Sequence, residues 1–279
     1  MQDFAGKTAF VTGGASGIGL ALGEAFARAG MKVMLADIEA GALDAAVASL
    51  REQAPRVRSV ICDVSDAASV SRAADATFAA FDNVHILFNN AGVAGGSGID
   101  TISLDTWRWV LDVNLMGAVH CVHAFLPRMR AHGEGGHIVN TASMAGFQSD
   151  LGFSPYATSK YAVVAMSEGL AVQLKPDGIG VSVLCPDFVR TRIADSGRNR
   201  PDRYGAAPTP DPASAGGQLA AAIVQLVQDG LEPAAVAEQT LAAIRADELY
   251  IFTHPHARGA VDRRFAAIQA ALDKAGARR

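Results

Sequence analysis

A single α/β domain, built as a doubly wound parallel sheet of about seven strands with helices on both faces, is the fold class this sequence predicts. Three observations predict it. Short, near-continuously apolar runs such as Ala9-Phe10-Val11 and Val181-Ser182-Val183-Leu184 recur along the chain. Runs of this kind belong to strands covered on both faces. Between them come stretches of helical periodicity, and sustained strand–helix alternation means parallel strands joined by crossover helices. Half of the 279 residues are apolar and 19% are charged, which supplies surface for one large core and excludes a chain disordered throughout.

In order, the strands are expected at Thr8–Val11, Val33–Ala36, Ser59–Cys62, Ile86–Asn89, His137–Thr141, Gly180–Cys185 and Tyr250–Phe252. Helices are expected at Ile18–Ala29, Leu43–Gln53, Ser69–Phe81 and Tyr156–Leu174. One stretch breaks the rhythm. Asp195–Gln218 is rich in Gly, charge and proline, with Pro201, Pro208, Pro210 and Pro212. A structureless segment that long inside a domain is usually a lid or a linker. We read residues 194–230 as a substrate lid within one domain spanning 1–279, because one short helix and one strand after it are too little for a second core.

Charge and cysteine content narrow the function. Net charge is -4, and the 24 Lys and Arg are scattered rather than striped, so nucleic acid is not an expected partner. Cys62, Cys121 and Cys185 are odd in number and lie in apolar stretches; they read as buried thiols of a reducing compartment, without metal or disulfide spacing. Met1-Gln2-Asp3-Phe4 runs straight into a strand pattern and lacks the features of a signal peptide. No apolar run approaches the ~18 residues that span a bilayer, so a membrane is not expected and a cytoplasmic protein is.

The first strand ends in Thr12-Gly13-Gly14-Ala15-Ser16-Gly17-Ile18-Gly19 and opens into a helix. A strand-to-helix turn of this kind can bring bare backbone against a pyrophosphate, which the helix's free N–H groups and dipole attract. Gly13, Ser16, Gly17, Ile18 and Gly19 are its cofactor-binding candidates. The spacing is T-G-x-x-x-G-x-G; Leu22 stands where G-x-G-x-x-G would place its last glycine. The second strand runs into Asp37, whose carboxylate can accept both hydroxyls of an adenosine ribose and would repel a 2′-phosphate. Ile38 and Glu39 follow, with no adjacent cation, so NAD is favoured over NADP.

Tyr156 and Lys160 form Y-x-x-x-K, which on a helix puts both side chains on one face, about 5–6 Å apart at Cβ. A free tyrosine, pKa near 10, is a poor base at neutral pH. An ammonium about 4 Å away at an effective dielectric near 20 contributes roughly 4 kcal/mol, enough to lower the phenol by about three pKa units. Ser143 closes the fifth strand at its C-terminal tip, where this fold binds ligands, and its hydroxyl can hold a substrate oxygen as charge develops.

These blocks, with Cys62-Asp63-Val64 after the third strand and Asn89-Asn90-Ala91-Gly92 after the fourth, resemble the short-chain dehydrogenase/reductase family over nearly the whole chain. The resemblance implies a Rossmann-type fold in which Asp63 and Val64 contact adenine and Asn90, Ala91 and Gly92 line the cofactor groove. It implies that Asn114, with Ser143, Tyr156 and Lys160, completes the catalytic set by helping hold a water that relays protons from Lys160. It further implies that Lys160 binds the nicotinamide ribose alongside Tyr156, and that Val189 and Thr191 reach the nicotinamide end. Asp187 departs from the family, which usually has glycine after Pro186; its carboxylate either faces the site or caps the next helix.

Met144, Phe147, Leu151, Phe153 and Phe188, with Tyr204 on the lid, are the expected substrate-pocket residues, and they point to a mainly apolar or aromatic small molecule. Arg200–Gly205, Gly230–Pro233 and Leu249–Ile251 are similar to bacterial dehydrogenases of benzylic alcohols in lignin-type aryl ethers. His254-Pro255-His256, with no acidic or cysteine partner in the sequence nearby, reads as a turn rather than a metal site. The expected function is NAD-dependent interconversion of a secondary alcohol and a ketone by a homo-oligomer, which the resemblance implies to be a dimer or tetramer, with a homotetramer expected. The alternatives are an NADPH-dependent 3-oxoacyl-carrier reductase, against which Asp37 argues, and a non-catalytic NAD-binding protein, against which the intact Ser143, Tyr156 and Lys160 argue.

Overall fold

The computed structural model describes residues 1–51, 56–96, 102–149, 154–206 and 211–276. Seven strands form one all-parallel sheet: β1 Thr8–Thr12, β2 Lys32–Asp37, β3 Val57–Ile61, β4 Ile86–Asn89, β5 Gly136–Thr141, β6 Ile179–Cys185 and β7 Tyr250–Phe252. Their spatial order is β3-β2-β1-β4-β5-β6-β7. The chain winds one way from β1 and then the other, so β1 and β4, paired at Ala9–Ile86 through Val11–Phe88, flank the switch point. A crevice opens there beyond the C-terminal strand ends.

Successive β1 side chains serve opposite layers. Ala9 and Val11 join Leu22 and Phe26 of α1 (Gly17–Arg28), Leu43 and Leu50 of α2 (Ala40–Arg51), and more distant Val236 and Ile244. Phe10 joins Val70 and Ala73 of α3 (Ala67–Phe81) and more distant Cys121, Phe125 and Met129 on the other face. The near-continuous apolar runs thus have the expected cause. Asp66 sets the start of α3 by accepting the Ala68 N–H, two residues before the expected start at Ser69. Cys62 lies just past β3, although its N–H still bonds to the Asp37 carbonyl. Leu22, in place of a third glycine, is fully buried in the first layer. Gln53, the expected end of the second helix, lies outside the described residues.

Between β4 and β5, α4 (Leu104–Leu111) continues through a π turn at Asp112–Met116 into α5 (Gly117–Ala131). Contrary to the expectation of no long apolar run, Leu104–Ala131 is long and apolar enough by composition to cross a bilayer. Its Trp109, Val110, Cys121, Phe125 and Met129 are instead packed inside the domain, and Arg128 and Arg130 pair with Asp75 and Asp177. The three cysteines are buried and unpaired. After α6 (Pro155–Leu174) and β6, the region expected to lack structure carries two 3₁₀ segments, Ile193–Asn199 and Asp202–Tyr204. More follows it than one helix and one strand. Helix α7 (Ala215–Gln228) and α8 (Pro233–Ala246) precede β7, and α9 (Arg258–Gly276) follows it. The periodicity of α8 was masked by its alanines, yet Val236, Ala237, Leu241 and Ile244 complete the layer over β1.

Candidate active site

The glycine turn is shaped by contacts that only glycine permits. Gly13 and Gly17 have φ of +63° and +55°, a left-handed backbone that costs other residues about 1–2 kcal/mol. A Cβ on Gly13 would lie 2.9 Å from Asn90 Nδ2, and one on Gly17 would lie 2.9 Å from Thr191 Cγ2. A Cβ on Gly19 would overlap the Gly13 carbonyl oxygen. Thr12, which has no predicted role, ties the turn to the next loop. Its hydroxyl accepts the N–H groups of Asn90 (2.9 Å) and Ala91 (3.0 Å), while Asn90 Nδ2 donates to the Thr12 carbonyl (3.0 Å). Strand-end hydroxyls at such a turn are the local signal that could have marked it.

Asp37 accepts the Ala15 N–H at Oδ2 (3.0 Å) and the Glu39 N–H at Oδ1 (3.1 Å), which holds the carboxylate at the mouth of the turn. Asp63 accepts the Ser65 N–H (3.0 Å) and hydroxyl (2.6 Å) at Oδ1, and Arg203 at Oδ2 (2.8 Å). Burial pushes the Asp63 carboxyl up, but the hydrogen bonds from Ser65 and Arg203 outweigh it and leave the group below its ordinary range. Asp37 and Asp63, with Gly13, Ser16, Gly17, Ile18, Val64, Asn90, Ala91, Gly92, Val189 and Thr191, line one cavity of about 570 Å³ running along the strand ends; Gly19 does not line it. Val189 is fixed by a parallel bridge to Leu231.

At the far end of that cavity, β5, α6 and the π turn converge. Asn114 is buried, and its π-turn position aims the whole carboxamide at one backbone unit. Its Oδ1 accepts the Val93 N–H (2.8 Å), and its Nδ2 donates to the Val93 carbonyl (3.0 Å) and to Ser159 Oγ (3.1 Å). Ser159, which sequence reasoning passed over, bonds on to the Tyr156 carbonyl at 2.7 Å. Lys160 Nζ donates to the Thr141 carbonyl at 2.8 Å and stands 5.5 Å from the Tyr156 ring centre. The space beside Gly92 is shared: a Cβ there would lie 3.5 Å from Asn114 Oδ1 and 3.6 Å from Lys160 Nζ. Ser143 Oγ accepts the Ala145 N–H (3.1 Å), donates to the Pro186 carbonyl (3.3 Å) and is in hydrogen-bonding reach of the Tyr156 phenol. All four predicted catalytic side chains are therefore in one place.

The electrostatics differ from the expectation that Lys160 lowers the phenol. The protein's own groups push Tyr156 up: burial raises it, the Ser143 hydrogen bond lowers it, and the Asp187 charge raises it further. Burial pulls Lys160 down to about 8, with Cys185 opposing.

Asp187 faces the cavity and does not cap a helix. Its N–H bonds to His254 Nδ1 (3.2 Å) and its Oδ2 to His256 Nε2 (3.0 Å). The His254-Pro255-His256 segment is a turn, as expected, but it has the acidic partner that the local sequence lacked. Among the expected pocket residues, Met144 and Phe188 line the cavity. Phe147 does not; it packs against Tyr250 and Phe252. Tyr204 is buried against Val93, Trp109 and Val110, with its hydroxyl on Asp112 at 2.9 Å, and so anchors the segment instead of presenting a ring to the cavity. Leu151 and Phe153 lie outside the described residues. Trp109, Ile193, Ile223 and Leu226, not predicted, supply apolar wall.

A seven-stranded doubly wound sheet with a glycine turn at its switch point defines a Rossmann-type protein. The family model for the short chain dehydrogenase matches residues 7–202. A short-chain dehydrogenase/reductase from Burkholderia phymatum, solved in complex with NAD, superimposes with a TM-score of 0.93 at 41% identity, covering 97% of both chains. The C alpha-dehydrogenase of a Sphingobium species is 35% identical over 96% of this chain and 87% of its own. The 1-deoxy-11-beta-hydroxypentalenate dehydrogenase of Streptomyces exfoliatus is 40% identical over 66% of this chain and 68% of its own. The chain belongs to the short-chain dehydrogenase/reductase family and is an oxidoreductase acting on CH–OH groups.

Proposed function

We propose that this protein is an NAD-dependent dehydrogenase interconverting a secondary alcohol and a ketone on a mainly apolar, aryl-bearing small molecule. The observation that carries the reading is the convergence of Ser143, Tyr156 and Lys160 at one end of a cavity whose other end holds Asp37, with Asn114 buried next to Lys160 across the space beside Gly92. A dinucleotide fits this cavity, because the positive-φ glycines leave a cradle that any Cβ would fill and Asp37 keeps its carboxylate at the ribose end. Gly13, Ser16, Gly17, Ile18 and Gly19 would hold the pyrophosphate, Asp37 the adenosine ribose, Asp63 and Val64 the adenine. Asn90, Ala91 and Gly92 would line its groove, Tyr156 and Lys160 would bind the nicotinamide ribose, and Val189 and Thr191 the nicotinamide end. Bound there, the nicotinamide supplies the two-electron partner for the carbinol carbon.

The chain's own residues handle the proton. Tyr156, as phenolate, takes the proton of the substrate hydroxyl, and in the reverse direction the phenol returns it. Ser143 holds the same oxygen through its hydroxyl as charge develops. Lys160 keeps a positive charge beside the phenol, and Asn114 positions the backbone at Val93 next to the space that a relaying water would fill. Residues 194–230 act as a lid, to which Ile223 and Leu226 of α7 contribute apolar wall. The similarity of Arg200–Gly205, Gly230–Pro233 and Leu249–Ile251 to dehydrogenases of lignin-type aryl ethers favours benzylic alcohols as the first substrates to try. Cytoplasmic location and a homotetrameric assembly accompany this reading.

The test is a panel of aryl and alkyl secondary alcohols with NAD and with NADP, following absorbance of the reduced cofactor. Turnover of aryl carbinols with NAD at least tenfold above that with NADP supports the proposal; turnover with NADP alone overturns it.

A further inference from the structure

The adenosine-ribose end of the cavity carries charges from two distant parts of the chain. Asp37, Ile38 and Glu39 approach from the end of β2, while Arg192, Arg198 and Asn199 approach from the segment after β6; all line the same cavity. Glu39 Oε1 accepts from Arg198 Nε (3.0 Å), Arg198 Nη2 (2.6 Å) and Asn199 Nδ2 (2.9 Å). Glu39 Oε2 lies 3.6 Å from Arg192 Nη1. Arg198 Nη1 is taken by the carbonyls of Arg192 (3.1 Å) and Asp195 (2.8 Å). The Glu39–Arg198 pair is only about one-fifth exposed, 23% and 21% at the side chains, so water screens it less than an ordinary surface pair. The Arg198 hydrogen bond comes first in holding Glu39 below the usual carboxylate range, against the upward push of burial.

No Arg or Lys directly follows Asp37 in the sequence, but the fold brings Arg192 and Arg198 to Glu39, two residues on. Arginine is the residue best suited to a phosphate monoester. What prevents their use is that Glu39 Oε1 already takes both Nε and Nη2 of Arg198, while Glu39 Oε2 lies 3.6 Å from Arg192 Nη1.

We propose that Glu39 is a second cofactor-selecting residue: by engaging Arg198 and Arg192 it withholds them from the 2′-phosphate of NADP, so that Asp37 repels a phosphate that no free cation attracts. The inference rests on the NAD reading above. It assigns to the Glu39–Arg198 pair a latent 2′-phosphate site, which becomes available once the carboxylate is neutralised.

The test uses the full-length protein and fluorescence titration of NADH and NADPH, with no substrate required. In Glu39→Gln the ratio of NADPH to NADH affinity should rise at least tenfold over wild type. In Glu39→Gln/Arg198→Met that gain should fall back to within about threefold of wild type. An unchanged ratio in Glu39→Gln, including equal weakening of both cofactors as a merely loosened segment would give, overturns the proposal. A gain that survives both Arg198→Met and Arg192→Met overturns it too. The two readings fail separately. If wild type binds NADPH as well as NADH, the NAD reading fails and takes the inference with it. If wild type prefers NADH but Glu39→Gln leaves the affinity ratio unchanged, the NAD reading stands and the inference alone falls.

Discussion

His256 Nε2 lies 3.0 Å from Asp187 Oδ2 across 69 residues, so a histidine after β7 partners a carboxylate that faces the cavity after β6. That carboxylate is also one of the groups that bear on Tyr156. Burial is the first cause of the raised phenol, the Ser143 hydrogen bond opposes it, and the Asp187 charge adds to the rise.

Removing the charge should therefore make Tyr156 easier to ionise. Alcohol oxidation needs the phenolate, so its rate rises with pH through the Tyr156 pKa. In Asp187→Asn that rising limb should move to lower pH, because the anion that opposed ionisation is gone. The kcat/KM profile over pH 6–10 reads this directly; a shift to higher pH would show that Asp187 does not act on the phenol by its charge.

Tyr156→Phe keeps the ring and removes the hydroxyl. Turnover on the best alcohol should fall by the ~10²–10⁴ of general acid–base catalysis, with NADH affinity within about threefold of wild type. Retention of near-native turnover would assign the proton to another group.

Gly19→Ala would drive a Cβ into the Gly13 carbonyl and to 2.7 Å from Asn90 Nδ2, so backbone must move where the pyrophosphate is expected. We expect NADH affinity to drop at least about tenfold, equivalent to 1.4 kcal/mol. Gly41→Ala is the matched control, since it lies in α2 with nothing within 4 Å of the new Cβ. It should be neutral or stabilise by up to about 1 kcal/mol. Titration and thermal melts of both variants check the pair.

Acid should destabilise the fold well before its carboxylates titrate. His137 is fully buried in β5, with Nε2 2.8 Å from Ser182 Oγ, and burial pulls its pKa down to about 4 despite Asp247. Burial likewise lowers His85, with Glu134 opposing. The native state refuses a proton that the unfolded chain accepts near pH 6.5. The stability is whole above that pH and is lost as pH falls from about 6.5 through about 4. His137 alone should cost on the order of 2 kcal/mol by pH 5. A melting temperature unchanged between pH 7.5 and 5 would contradict this.

What the sequence by itself determined was everything decided within a few residues. Unalternating apolar runs mark strands covered on both faces, because the pleat points neighbours such as Phe10 and Val11 into different layers. The glycine turn is legible because its conformational demand sits on Gly13 and Gly17 themselves, and Tyr156 with Lys160 because four residues make one helical turn. Tertiary structure alone decided what depends on partners far along the chain. Glu39 meets Arg198 across 159 residues, Asp63 meets Arg203 across 140, and Asp187 meets His256 across 69. It also decided that Asn114 sits in a π turn, that Tyr204 anchors instead of lining the cavity, and that alanine-rich α8 belongs to the core. The physical reason is common to these cases. Local geometry follows from the covalent chain and its period. A charge's partner, and hence its availability to a ligand, is set by which loops the packed sheet brings to the same end.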